Sequence, residues 1–168
     1  MANRDLDTYC AAFQQAILQY HGIKMEEVNQ TLDYLWKKTY QGTDIDSVCI
    51  RADSDGTSGG LRAYQYRVCM RKDGIELDMR GRCSTGQKVL ACILIRLALA
   101  DSFGGACGCM ALDEPTTNLD RENVEALAAS LVDLLAERQH QPNFQLIVIT
   151  HDGEFLTRLS QSDALEHY

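Results

Sequence analysis

With only two prolines in 168 residues, and no proline-rich or otherwise low-complexity tract, the chain does not have the composition of a linker or a disordered tail. No apolar run approaches the ~20 residues that a helix needs to cross a bilayer, so no membrane partner is expected. The opening "MANRDLDTYC" is polar and charged, unlike a secretory leader. No Cys-x-x-Cys occurs, and the seven cysteines stand singly at 10, 49, 69, 83, 92, 107 and 109. An odd set without Cys/His pairing argues against a zinc site or a disulfide framework, and reads as buried free thiols in a reducing compartment. A Gly-x-x-x-x-Gly-Lys-Ser/Thr run, the loop that cradles nucleotide phosphates, is also missing.

Basic charge is scarce overall, the net charge being −8, but it is not spread evenly. Residues 1–61 carry five basic and nine acidic groups, and residues 97–168 carry three and twelve. Between them, residues 62–96 carry eight basic groups (Arg62, Arg67, Arg71, Lys72, Arg80, Arg82, Lys88, Arg96) against three acids, a local +5. Such a band either faces phosphates or forms a solvated sheet face laced with salt bridges.

The first forty residues read as helix. Leu6, Cys10, Phe13, Ile17 and Tyr20 alternate in steps of four and three, as a heptad seam does, and Met25, Val28, Leu32 and Leu35 resume the pattern one residue out of frame. The frame shift at "HGIK" predicts a break at Gly22 between two helices. Both a coiled coil and an amphipathic helix packed on its own domain fit the spacing. From Asp44 the pattern becomes β-like. "IDSVCIRA" and "AYQYRVCM" flank the polar loop "DSDGTSGG", and "GIELDM" suggests a third strand. A helix follows over Thr85–Ala100. "CGCMALDE" then reads as a buried strand, Arg121–Gln139 as a helix, "FQLIVIT" as a second buried strand, and Glu154 starts a last short helix. Strand, helix, strand with near-continuous apolar strands implies an α/β fold with a parallel sheet covered by helices, in one domain-sized unit.

Three stretches carry chemistry. In "MALDEPTTNLD", Asp113 and Glu114 end an apolar strand, on the edge where parallel α/β sheets place their ligands. Adjacent carboxylates there suit two jobs, one holding Mg²⁺ through water and the other polarising an attacking water. An isolated Asp-Glu pair is more often a plain acidic turn, so its surroundings decide. In "RCSTGQK", Ser84 is a good N-cap, Thr85, Gly86 and Gln87 open the helix, and Gly86 lets an anion come close to the backbone. In "VITHD", His151 follows the second strand and so emerges at the same edge as Asp113 and Glu114, where an imidazole can bond a terminal phosphate.

In this order, "CSTGQK", "DEPT", "TNLD" and "ITHD" resemble the signature loop, Walker B strand, D-loop and switch histidine of ABC-type ATPase heads. Cys83 and Thr85 in the signature loop, "MRGR" before it, "DEPTTNLDREN" and "NFQLIVITHD" resemble more narrowly the eukaryotic Rad-fifty family, SMC-like ATPases of the DNA double-strand-break repair nuclease complex. The resemblance implies the C-terminal lobe of an ABC-type head, with residues 1–40 as a coiled-coil stub and 41–168 as the lobe. It implies that the P-loop lies on a separate N-terminal lobe of the same protein, across a long coiled coil. ATP and Mg²⁺ would be the ligands, with Asp113 supporting Mg²⁺, Glu114 as general base and His151 as phosphate sensor. Ser84, Thr85, Gly86 and Gln87 would meet the γ-phosphate of a nucleotide held by a second copy of the head, with Asp120 at that seam. Lys88 and Arg96, two turns apart on one helix, would form a basic switch. A repair nuclease subunit and double-stranded DNA would be the partners, in the nucleus. An ABC transporter nucleotide-binding lobe and a non-catalytic dimerisation or DNA-docking module are the alternatives. The long N-terminal helix and the missing P-loop argue against the first, and Glu114 together with His151 against the second.

Overall fold

The computed structural model describes residues 2–54, 64–103, 109–138 and 145–160. In chain order the elements are α1 (Ala2–Thr39), β1 (Ser47–Ser54), β2 (Tyr64–Lys72), β3 (Ile75–Asp78), α2 (Thr85–Phe103), β4 (Cys109–Asp113), α3 (Arg121–Arg138), β5 (Gln145–Ile149) and α4 (Gly153–Ser160). They build an antiparallel sheet in the order β1-β2-β3 and a parallel pair, β4-β5, joined through α3. The predicted loop 53–60 falls mostly outside the described residues, apart from Asp53 and Ser54, which extend β1.

The expected break at Gly22 does not exist: α1 is one helix of 38 residues, about 57 Å long at 1.5 Å per residue. A lone glycine costs a helix only ~1 kcal/mol, which the flanking turns absorb. The frame shift instead records a change of cover. Leu6, Phe13, Ile17 and Tyr20 are 60–70% exposed, whereas Val28, Leu32, Leu35 and Trp36 are buried in the core. One extra residue turns the apolar stripe by about 100°, so the stripe of the first half does not continue onto the core that buries the second.

That core is shared by α1, α2, α3 and the sheets. Leu90, Leu94 and Leu97 of α2, Leu127 and Leu131 of α3, Met110 and Leu112 of β4 and Phe155 of α4 all lie in it. Polar ties fix α1 to its neighbours. Asn29 brackets β1, accepting from Ile50 N (2.7 Å) and donating to Ile50 O (3.0 Å). Trp36 Nε1 donates to Ile45 O (3.2 Å). The buried hydroxyls of Thr39 and Ser130 bond each other at 2.9 Å.

Two strand expectations need correction. β4 and β5 are not buried on both faces: Met110 and Leu112 are buried, but Ala111, Ile147 and Ile149 face outward, the last two 47% and 57% exposed. Continuous apolar sequence marks two faces that can be covered, and the described residues cover one. Among the described cysteines only Cys69 is buried, and Cys10, Cys92 and Cys109 are exposed.

Candidate functional site

β4 and β5 run parallel with Asp113 opposite Ile149, so both strands deliver their next residues to one sheet edge. Glu114 N donates to Ile149 O (2.8 Å), which extends the pairing by one residue. There the backbone turns sharply: Glu114 adopts φ 45°, a left-handed conformation costly for a residue with a Cβ. At this turn the Glu114 carboxylate meets His151, whose Nδ1 lies 2.9 Å from Glu114 Oε2, while Asp113 is exposed. The carboxylate beside it holds the imidazole pKa above the ordinary histidine value. Oε2 is buried, with the imidazole Nδ1 at contact distance beside it. A carboxylate so placed suits a water or hydroxyl donor.

Among the described residues, no three metal-ligating side chains converge. An oxygen ligand such as Asp113 suits Mg²⁺, which commonly takes one or two carboxylates and completes its shell with water and phosphate oxygens. The residues present fit that sparse arrangement.

The signature turn is built as a capping box. Gln87 N donates to Ser84 Oγ (3.2 Å) while Ser84 N donates to Gln87 Oε1 (2.9 Å), satisfying two otherwise orphaned donors at the start of α2. Gly86 was expected to open space for an anion, and the structure adds a second reason for it. A Cβ at residue 86 would lie 2.5 Å from the carbonyl oxygen of Asn118, so the signature turn packs directly on the "TNLD" backbone. Asn118 itself has φ 63°. Asp120 caps α3, accepting from Asn123 N and from Asn123 Nδ2, both at 2.9 Å.

The predicted site residues therefore fall into two sets, with the turn Glu114–Asp120 running from one to the other. Asp113, Glu114 and His151 form the sheet-edge set. Ser84, Gly86, Gln87 and Asp120 line a cavity of about 390 Å³ together with Tyr40, Gln41 and Asn118. Thr85 is exposed at the first position of α2. Lys88 and Arg96 are exposed on α2, with no ion-pair partner among the described residues.

The basic band divides. Arg67 pairs with Asp53 (2.6 Å), Arg51 and Arg71 share Glu76 (2.6 and 3.4 Å), and Lys72 approaches Asp46 (3.9 Å). The strand half is thus the salt-bridged face that was one of the two readings. Arg80, Arg82, Lys88 and Arg96 have no ion-pair partner among the described residues, and Arg62 lies outside them. Sequence reasoning missed Tyr40, Asp44 and Asn123. The turn "TYQGTD" directly after the long helix was the available signal.

No family model matches the chain. It is 59% identical over 167 residues to the DNA repair protein rad50 of Schizosaccharomyces pombe, covering 99% of this chain and 13% of that protein. It is 55% identical over 164 residues to DNA repair protein RAD50 of Saccharomyces cerevisiae, covering 98% of this chain and 12% of that one. The chain thus spans about an eighth of the length of these curated relatives. A solved structure from work on ATP-driven dimerization and DNA-stimulated activation of SMC ATPases superposes with a TM-score of 0.56 at 18% identity, covering 86% of this chain and 77% of that one. The fold is that of an SMC-type ATPase head, consistent with an ABC-type lobe.

Proposed function

The chain belongs to the RAD50 family of DNA repair proteins, as a segment of it, and from that premise we propose that it is the C-terminal lobe of an ABC-type ATPase head. Residues 1–40 are the end of a coiled-coil arm and residues 41–168 the lobe. The observation that carries the reading is the Glu114–His151 pair at the shared edge of β4 and β5, with the imidazole Nδ1 beside a buried carboxylate oxygen. Glu114 accepts the proton of the water that attacks the γ-phosphate of ATP, and His151 both orients Glu114 and senses the phosphate. Asp113 would hold Mg²⁺ through water, and the ion, when bound, would supply charge neutralisation for the leaving group. The P-loop comes from the N-terminal lobe of the same protein, and the open face of β4-β5, with Ile147 and Ile149 uncovered, supports a missing neighbour there.

The loop Ser84–Gln87 faces a nucleotide held by a second copy of the head, with Asp120 near the seam. The free N–H groups at the start of α2 make that loop an anion site. ATP binding therefore joins two heads and hydrolysis releases them. Lys88 and Arg96 form a basic switch on α2, and the joined heads govern a repair nuclease subunit acting on double-stranded DNA in the nucleus.

The test is steady-state ATP hydrolysis by the chain alone, by the chain with its P-loop lobe, and by that pair carrying Glu114→Gln. Activity that needs both lobes and drops at least a hundredfold in the variant is expected, the loss typical of removing a general base. Hydrolysis by the lone chain, or full activity of the variant, would overturn the assignment.

A further inference from the structure

Gln87 has no free amide hydrogen. Its Nε2 donates to the Tyr40 hydroxyl (2.8 Å) and to Asp44 Oδ2 (2.7 Å), while its Oε1 accepts from Ser84 N (2.9 Å). The Tyr40 hydroxyl donates in turn to Asp44 Oδ1, closing a ring of three side chains. The amide orientation is fixed by chemistry: reversed, its oxygen would face the Asp44 carboxylate and its NH₂ would face a backbone N–H. Tyr40 is itself held, its ring stacked on the buried Trp36 at 4.5 Å. Gly42 leaves the space that the phenol crosses, since any Cβ there would run into the Tyr40 ring. Burial and the neighbouring Asp44 push the Tyr40 phenol up to about 12, so it stays protonated and able to donate. The next residue extends the tie to the second loop: Gln41 N donates to Asn123 Oδ1 (3.1 Å), and Asn123 is bound to Asp120.

Resting on the ATPase reading above, we propose that Tyr40 and Asp44 are positioning residues for the signature loop. They act through Gln87, which serves as a strut between the end of α1 and the start of α2 rather than as a phosphate ligand. A side chain whose two N–H groups are already spent within its own lobe cannot offer them to a phosphate unless the ring opens. The hydroxyls of Ser84 and Thr85 and the turn's backbone are left to meet the nucleotide, and their aim is set by where α1 ends.

The experiment has two stages. In the 168-residue chain, hydrogen exchange at residues 83–88 is compared between the parent, Tyr40→Phe and Asp44→Asn. Tyr40→Phe keeps the ring on Trp36 and removes one hydroxyl. Exchange faster by roughly three- to tenfold is expected, the effect of one net hydrogen bond. Unchanged exchange overturns the strut, whatever the chain does with ATP. In the head assembled with its P-loop lobe, the same variants raise the ATP concentration for half-maximal rate by a similar factor and leave the maximal rate within twofold. In a Gln87→Ala background the Tyr40→Phe effect vanishes, because the path runs through Gln87. A lowered maximal rate with unchanged half-saturation, or full additivity with Gln87→Ala, overturns the positioning role. Glu114→Gln in the same assembly reports separately on the ATPase reading.

Discussion

The same substitution should have opposite signs at two glycines of this chain. In a helix, Gly→Ala is worth ~0.5–1 kcal/mol in favour of folding, because alanine has less backbone freedom to lose. Gly22, in the middle of α1, has nothing within 4 Å of the position a Cβ would take, so Gly22→Ala should realise that gain. At Gly86 the new methyl would lie 2.5 Å from the Asn118 carbonyl oxygen. Carbon and oxygen settle near ~3.3 Å or beyond, so a gap of about 0.8 Å must open. The group that has to yield is backbone, already at φ 63° and fixed by Leu119 N donating to Thr116 O (3.1 Å). Overpacking of this kind costs ~1–3 kcal/mol, which exceeds the propensity gain and leaves a net loss of about 1–2 kcal/mol. With a urea dependence of ~2 kcal/mol per molar, the midpoint for Gly86→Ala should fall by roughly 0.5–1 M, and that for Gly22→Ala should rise by a few tenths. Equilibrium urea unfolding followed by circular dichroism measures both. A Gly86→Ala midpoint at or above the parent's would refute the reasoning, since it would mean that the signature turn does not rest on the "TNLD" backbone.

Thr39→Val strands the buried Ser130 hydroxyl and should cost ~1–3 kcal/mol in urea unfolding, whereas Thr39→Val with Ser130→Ala should recover most of that loss. The His151 pKa is raised by Glu114, so the stabilisation from that contact is complete below the unfolded histidine value and fades as pH rises through the folded one. An NMR titration should show the His151 imidazole moving down toward the ordinary range in Glu114→Gln. Arg51 and Arg71 hold the Glu76 carboxyl down at about 2, so its contribution is present above the unfolded value of ~4.5 and disappears as pH falls through the folded one. Acid unfolding of Glu76→Gln should accordingly be less steep between those two values than that of the parent.

The sheet-edge site was legible because it depends on order along the chain. Two apolar segments, each followed at once by a chemically apt residue and separated by a helix, dictate a parallel pair whose ends coincide. Glu114 and His151 do meet there at 2.9 Å. Helix α2 began where the Ser84 cap placed it and ran on to Phe103. The failures share a cause as well. Periodicity reports that a face is apolar, not which neighbour covers it, so the frame shift in α1 looked like a break and β4 and β5 looked buried on both faces. Contacts between distant residues are not written in local pattern at all. Asp44 and Gln87 lie 43 positions apart, and a turn residue beside a glycine gave only the weak hint that something must fit there. The basic band was half legible, because charge counting cannot see that Asp53 and Glu76 arrive from the strands flanking β2 to neutralise Arg67 and Arg71.

These long-range ties also decide how α1 can move. Near the C-terminal end of α2, Lys24 Nζ donates to Ser102 O (3.3 Å) and Thr31 Oγ1 to Asp101 Oδ2 (3.3 Å). Near its N-terminal end, Tyr40 holds Gln87. On the opposite side, Lys38 pairs with Asp133 and Thr39 with Ser130 of α3. A helix pinned near both ends of its neighbour cannot slide along it without giving up bonds at each end together, and Leu32 and Trp36 would leave fully packed positions at the same time. Sliding is therefore the costly motion, and displacement of α1 with α2 as one body is the cheap one. Because α2 begins with the Ser84–Gln87 turn and that turn rests on Asn118, a load on the exposed half of α1 is delivered to the signature and "TNLD" backbones as a pair. Glu114, at the far end of the Glu114–Asp120 turn, holds a left-handed backbone conformation at φ 45°, so it too is tied to that backbone.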